Sequence, residues 1–150
     1  MKKVILYSRS DSVSCRKARN WLSYNRIPFE EKRIYKGKFE ADELKKILKL
    51  LPNGVDDLVS TRSKAYANLR VNLDELLLSE AIQLFINTPS LIKVPILVQE
   101  NKVLVGFNEE IVRVFIPKKV RKKFIYDYYQ NYINNDIVMA PPTRKVFKVL

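Results

Sequence analysis

Apolar and polar positions alternate with two different periods along this 150-residue chain. The unbroken apolar run Val4-Ile5-Leu6-Tyr7, bounded by the polar stretch from Ser8 to Ser14, reads as a short buried strand over residues 3–7. Ser12 or Ser14 can cap a following helix that turns Ala18, Trp21 and Leu22 inward and stops before Ile27-Pro28-Phe29. Phe29 to Tyr35 then reads as a second strand, so that the first third of the chain is a strand–helix–strand unit with parallel strands. Leu44, Ile47, Leu48 and Leu51 stand at helical spacing, and Pro52-Asn53-Gly54 stops that helix. Further helices are expected at Thr61 to Leu69 and at Ser79 to Asn87, the latter burying Ile82, Phe85 and Ile86. The period then changes to that of a hairpin: Val94 to Val98 and Lys102 to Val105 are strands joined by Gln99-Glu100-Asn101. Asn108 caps a last short helix carrying Ile111, Val112 and Phe115, and Pro117 closes the globular part. Phe124, Tyr128 and Tyr132 recur four residues apart, which predicts a basic, aromatic helix to about Asn134, before the helix-breaking Met139-Ala140-Pro141-Pro142-Thr143. The pattern gives an α/β fold with a mixed sheet of about four strands over residues 1–117, a helical insert over about 38–90, and a C-terminal extension over 118–150.

Composition narrows the chemistry. Hydrophobic residues make up 47% of the chain, enough for a core without covalent staples. The single cysteine, Cys15, rules out an internal disulfide and suits a reducing, cytoplasmic setting. No apolar stretch approaches the length of a membrane span, so no membrane partner is expected. Without histidine and with one cysteine, structural zinc sites and histidine-based triads are excluded; neither a metal nor a cofactor is expected. The net charge of +12, from 28 Lys and Arg against 16 Asp and Glu, serves solubility or favours acidic partners. Lys118, Lys119, Arg121, Lys122 and Lys123 concentrate it in one block, either a solvated face or a non-specific contact to DNA phosphates, with Tyr126, Tyr128, Tyr129 and Tyr132 interleaved for stacking. No helix-turn-helix or other base-reading element is apparent.

Strand, cysteine-bearing loop, helix, strand, helices and a hairpin that begins at a proline follow the thioredoxin-like order. At the end of the first strand stands Leu6-Tyr7-Ser8-Arg9-Ser10-Asp11-Ser12-Val13-Ser14-Cys15-Arg16-Lys17-Ala18-Arg19. Together with Pro52-Asn53-Gly54-Val55-Asp56-Asp57, Ser60-Thr61-Arg62-Ser63-Lys64, Val94-Pro95-Ile96 and Val105-Gly106-Phe107-Asn108-Glu109-Glu110, this stretch resembles the ArsC/Spx family. The likeness covers residues 3–120 and is strongest to the Spx branch of transcription regulators of low-GC Gram-positive bacteria. It implies a thioredoxin-like fold with a helical insert and a cis proline at Pro95. It further implies one of two working modes: arsenate reduction by a loop cysteine, or binding to the C-terminal domain of the RNA polymerase α subunit.

The first cysteine of both modes falls on Ser12, and the second cysteine of the Spx pair on Cys15. A serine hydroxyl ionises far less readily than a thiol and has no histidine here to act as its base, which speaks against arsenate reduction. The residue before the strand proline, an arginine in many relatives, is Val94; Arg62 remains as a residual anion-binding candidate. Cys15 is a packed helix residue, a reactive thiol, or a remnant of a switch. The alternative function is accordingly a monothiol enzyme, arsenate-reductase-like or glutaredoxin-like, that uses Cys15. The Spx likeness places the polymerase contact at Gly54, with Lys49 adding charge. By itself Gly54 reads equally as a helix C-cap. The likeness also implies turnover by a Clp protease, although the Val149-Leu150 end departs from the end found in some Spx proteins.

Overall fold

The structure, a computed structural model, describes residues 2–10, 12–36 and 38–134. The chain forms two compact units, Met1–Phe107 and Asn108–Leu150.

The first unit is built on a four-stranded sheet in the order β2-β1-β3-β4. β1 (Val4–Ser8) pairs in parallel with β2 (Phe29–Arg33), Val4 opposite Phe29 and Ser8 opposite Arg33. β1 pairs antiparallel with β3 (Ile96–Gln99), which continues antiparallel into β4 (Lys102–Val105). The mixed sheet and the parallel first pair are those expected from the apolar pattern. β2 ends two residues earlier than the sequence suggests: Ile34 N–H still donates to Ser8 O at 2.9 Å, after which the chain turns and pairing lapses.

Helices fill the sequence between the strands. α1 (Val13–Tyr24) starts on Ser12, whose hydroxyl accepts the N–H of Cys15 at 3.2 Å, so Ser12 rather than Ser14 is the cap. α2 (Ala41–Leu50) carries Asp42 and Glu43 in its first turn and Lys49 in its last, the arrangement the helix dipole favours. It buries Leu44, Ile47 and Leu48. These join Ile82 and Phe85 from α5 (Leu78–Asn87), Leu58 and Val59, and Tyr7 and Ile96 from one face of the sheet in a single core cluster. Burial of side chains this size contributes about 1.5–3 kcal/mol each. Within the cluster the Tyr7 and Phe39 rings meet edge to face, with centroids 5.1 Å apart. Leu6, Leu97 and Leu104, in register across three strands, are buried on the opposite face.

The expected helix from Thr61 to Leu69 shrinks to one turn, α4 (Lys64–Ala67), which buries no side chain. The Ser63 hydroxyl decides this: it donates to Ser60 O at 2.8 Å and accepts the Tyr66 N–H at 3.1 Å, so the helix cannot start earlier. Gly54 also departs from the C-cap reading. α2 ends with Leu51 as its cap, and Gly54 instead precedes the short α3 (Val55–Leu58).

In the second unit, the Asn108 carboxamide accepts the N–H groups of Glu110 and Ile111 at 2.9 and 3.0 Å. It opens a 3₁₀ segment, Ile111–Phe115, rather than an α-helix. α6 (Lys118–Asn134) follows immediately. The side chains of Phe124, Tyr128 and Tyr132 and the segment Met139–Thr143 lie outside the described residues, as does Val149-Leu150.

Candidate functional site

The sharp end of β1 delivers the chain into the loop that holds Ser12 and Cys15. Capping fixes their relation: the Ser12 oxygen is committed to the helix end, and Cys15, one turn in, is fully buried beside Ala18 and Leu22 as the inner edge of α1. A hydroxyl that accepts from a helix amide is held by the backbone; it is positioned as a structural cap. A cysteine without solvent access behaves as a small apolar side chain.

Two arginine arrangements frame this loop. Arg9 reaches across the sequence, one terminal nitrogen (Nη1) donating to Pro89 O at 2.9 Å and to Ile92 O at 3.0 Å. It ties the loop to the segment that leads into the cis Val94–Pro95 peptide bond. Burial pushes the Arg9 pKa down, partly offset by the nearby Cys15. Arg19, on α1, grips the carboxylate of Glu31 on β2 through both oxygens, Nε donating to Oε2 at 2.8 Å and Nη2 donating to Oε1, while the Ser8 hydroxyl donates to Oε1 at 2.6 Å. These hydrogen bonds, the Arg19 pair first, outweigh partial burial and draw the Glu31 carboxyl down to about 2. An open cleft of about 480 Å³ lies against the loop, lined by Arg9, Ser10, Ser12, Arg33, Ile34 and Tyr35.

Arg62 does not line that cleft; it is exposed on the turn before α4, so the structure does not gather it with Ser12. The cations beside the loop are Arg9 and Arg33, which the sequence reading passed over. Arg9 was legible as the one cation between β1 and the helix cap. Its partners lie 80 and 83 residues away, so no local pattern announces its role.

At the second candidate position, the turn from Leu51 to Val55 presents Gly54 with φ of 56° and ψ of −120°. Asp56 N–H donates to Asn53 O at 3.3 Å, closing a turn whose second residue is Gly54. That backbone is available to glycine and strained for other residues. A Cβ built there meets no atom within 4 Å, so the turn faces open space. Asp57 locks it from the other side, taking the Asn53 backbone N–H at 2.8 Å and the Asn53 carboxamide at 3.1 Å. Lys49 is exposed on the last turn of α2, five residues before Gly54 and on a separate element from it.

The basic block on α6 divides. Lys118, Lys119, Lys122 and Lys123 are exposed, as are Tyr126 and Tyr129, but Arg121 is buried. Arg121 therefore leaves the candidate phosphate-contact set, since a guanidinium inside the fold is not presented to a duplex. Among the described residues, no helix is long and apolar enough to cross a membrane.

The chain is similar to known proteins in sequence and in fold. The global transcriptional regulator Spx 2 of Bacillus anthracis is 42% identical over 118 residues, covering 79% of this chain and 90% of the relative. The global transcriptional regulator Spx of Bacillus subtilis (strain 168) is 41% identical over the same shares of both chains. Among solved structures, an ArsC family related protein from Bacteroides fragilis superposes with a TM-score of 0.67 at 28% identity, over 75% of this chain and 97% of its own. The arsenate reductase from Vibrio cholerae shares the fold with a TM-score of 0.63 at 20% identity, over 70% of this chain and 90% of its own. Residues 7–115 match the sequence profile of the ArsC family, so the thioredoxin-like chain described here belongs to the ArsC family and is of its Spx type.

Proposed function

We propose that this chain is a global transcriptional regulator of the Spx kind. It binds the C-terminal domain of the RNA polymerase α subunit through the Gly54 turn, with Lys49 adding charge from the last turn of α2, and it does so without a dithiol switch. The observation that carries the reading is the identity of 41–42%, over nearly the whole of each relative, to proteins named as Spx regulators. The loop chemistry agrees. Ser12 is a helix cap and Cys15 is buried without a second thiol in the chain, so binding would not answer to disulfide formation. The open space at Gly54 leaves room for a partner backbone. The exposed lysines of α6 would add non-specific attraction to promoter DNA, at a strength that falls with salt. Regulation would then act on how much protein is present, including its removal by a Clp protease.

Purified α C-terminal domain is expected to retain the wild-type chain in a pull-down at micromolar concentrations and to lose Gly54→Arg. Failure to bind wild type at tens of micromolar overturns the proposal. The enzymatic alternative, a monothiol reaction at Cys15, is opposed by the burial of that thiol. A glutathione-linked turnover that disappears in Cys15→Ser would reverse the ranking.

A further inference from the structure

A second concave surface lies away from the Ser12 loop. It has a volume of about 460 Å³, room for a few side chains but not for a folded domain. Its apolar lining comes from Val59, Leu69, Val71 and Leu73, and Val71 and Tyr66 are 48% and 38% exposed at its edge. Two carboxylates, Asp56 and Asp74, complete the lining.

Their isolation is informative in a chain of net charge +12. Nearby carboxylates are occupied: Asp57 by Asn53, Glu75 by Asn72 at 3.5 Å and Glu80 by the Leu77 N–H at 2.8 Å. The carboxylate oxygens of Asp56 and Asp74 have no hydrogen bond or ion pair among the described residues. Asp74 is engaged only through its backbone N–H, by Asn72. Arg62, Lys64 and Arg70 lie on the same stretch of chain, yet none of them lines the groove or pairs with either acid.

We propose that this groove takes a cationic, amphipathic helical segment of a partner protein, whose apolar side chains enter between Leu69, Val71 and Leu73 while its Lys or Arg groups meet Asp56 and Asp74. Charge complementarity selects this occupant. The net charge of +12 disfavours a cationic partner at long range, so attraction at the groove depends on these two groups at short range, where opposite charges persist against the screening of about 8 Å in physiological salt. The apolar lining supplies the anchors that helix-in-groove recognition needs. Asp56 also closes the Gly54 turn through its backbone N–H, so the groove borders the proposed polymerase contact, but the inference does not rest on polymerase binding.

The test is fluorescence anisotropy of a fluorescein-labelled synthetic helix, Leu on one face and Lys on the other, titrated with the full chain. Saturable binding is expected, weakened at least about tenfold by the double substitution Asp56→Lys/Asp74→Lys and also weakened by Val71→Ser. All three side chains are exposed, and circular dichroism checks that the variants keep the fold. A matching Leu/Glu helix, drawn to the basic surface elsewhere, should bind wild type and the double variant within twofold of each other. Absence of binding by the Leu/Lys helix, or binding that both variants leave unchanged, overturns the proposal. So does self-association of the chain that the same substitutions abolish, because a second copy would then be the occupant. No polymerase subunit is present in this titration, so its failure and failure of the α-subunit reading are separate results.

Discussion

Replacing Gly54 by alanine isolates the contribution of one backbone conformation. A Cβ at this position meets nothing within 4 Å, so no collision contributes, and the whole effect arises from placing an L-residue at φ 56°, ψ −120°. Such a conformation costs about 1–3 kcal/mol for a non-glycine residue, while the stiffer unfolded chain returns about 0.4–1 kcal/mol, leaving a net destabilisation of about 1–2 kcal/mol. Urea unfolding followed by circular dichroism reads this directly. With a slope of about 2 kcal/mol per molar urea, the midpoint should fall by roughly 0.5–1 M at unchanged slope. A midpoint equal to or above that of wild type refutes the reasoning, for it would mean that the turn does not require glycine. The same variant separates strain from contact: a Cβ projecting into the open face should also weaken a partner that packs on the turn, whereas strain alone should not.

Three further outcomes follow from the loop and its supports. Ser12→Ala removes the acceptor for the Cys15 N–H and should cost about 1 kcal/mol in urea unfolding, with Ser14→Ala near neutral; equal losses from the two would refute Ser12 as the cap. Glu31 has a folded pKa of about 2, below its unfolded value near 4.3, so its contribution is complete above that unfolded value and disappears as pH falls towards 2. Because the Arg19 side chain is 34% exposed, screening reduces the contribution to about 1–2 kcal/mol, and Glu31→Gln should abolish that part of the acid slope between pH 5 and pH 2.5. Cys15 should react with iodoacetamide at least about tenfold more slowly in the native chain than in urea at the same pH; matching rates would show that the thiol is accessible.

Local chemistry made much of the fold legible. Short side chains that bond to nearby amides mark helix starts, as at Ser12 and Asn108, and these depend on residues two or three positions away. The pairing could be anticipated because a strand–helix–strand unit forces parallel strands and a short polar connection such as Gln99-Glu100-Asn101 favours a hairpin, which the structure tightens to Glu100-Asn101. Where the reading failed, a competing local bond or a burial requirement had won. The Ser63 hydroxyl shortened the helix expected at Thr61, and the Gly54 turn began an element instead of ending one.

The sequence by itself determined the order of elements, the absence of a second thiol, and a serine hydroxyl at the start of the first helix, because each is a property of neighbouring residues or of composition. Tertiary structure alone decided which cations stand at the loop. Arg9 is placed there by carbonyls of Pro89 and Ile92, and Arg62, promising from its motif, stays on the surface. It likewise withdrew Arg121 from a block whose lysines remain exposed, and brought Asp56 and Asp74, eighteen positions apart, to one groove. The physical reason is the same in each case: burial and charge pairing are settled by whichever segments the packed core brings together, and that is information no short stretch of sequence carries.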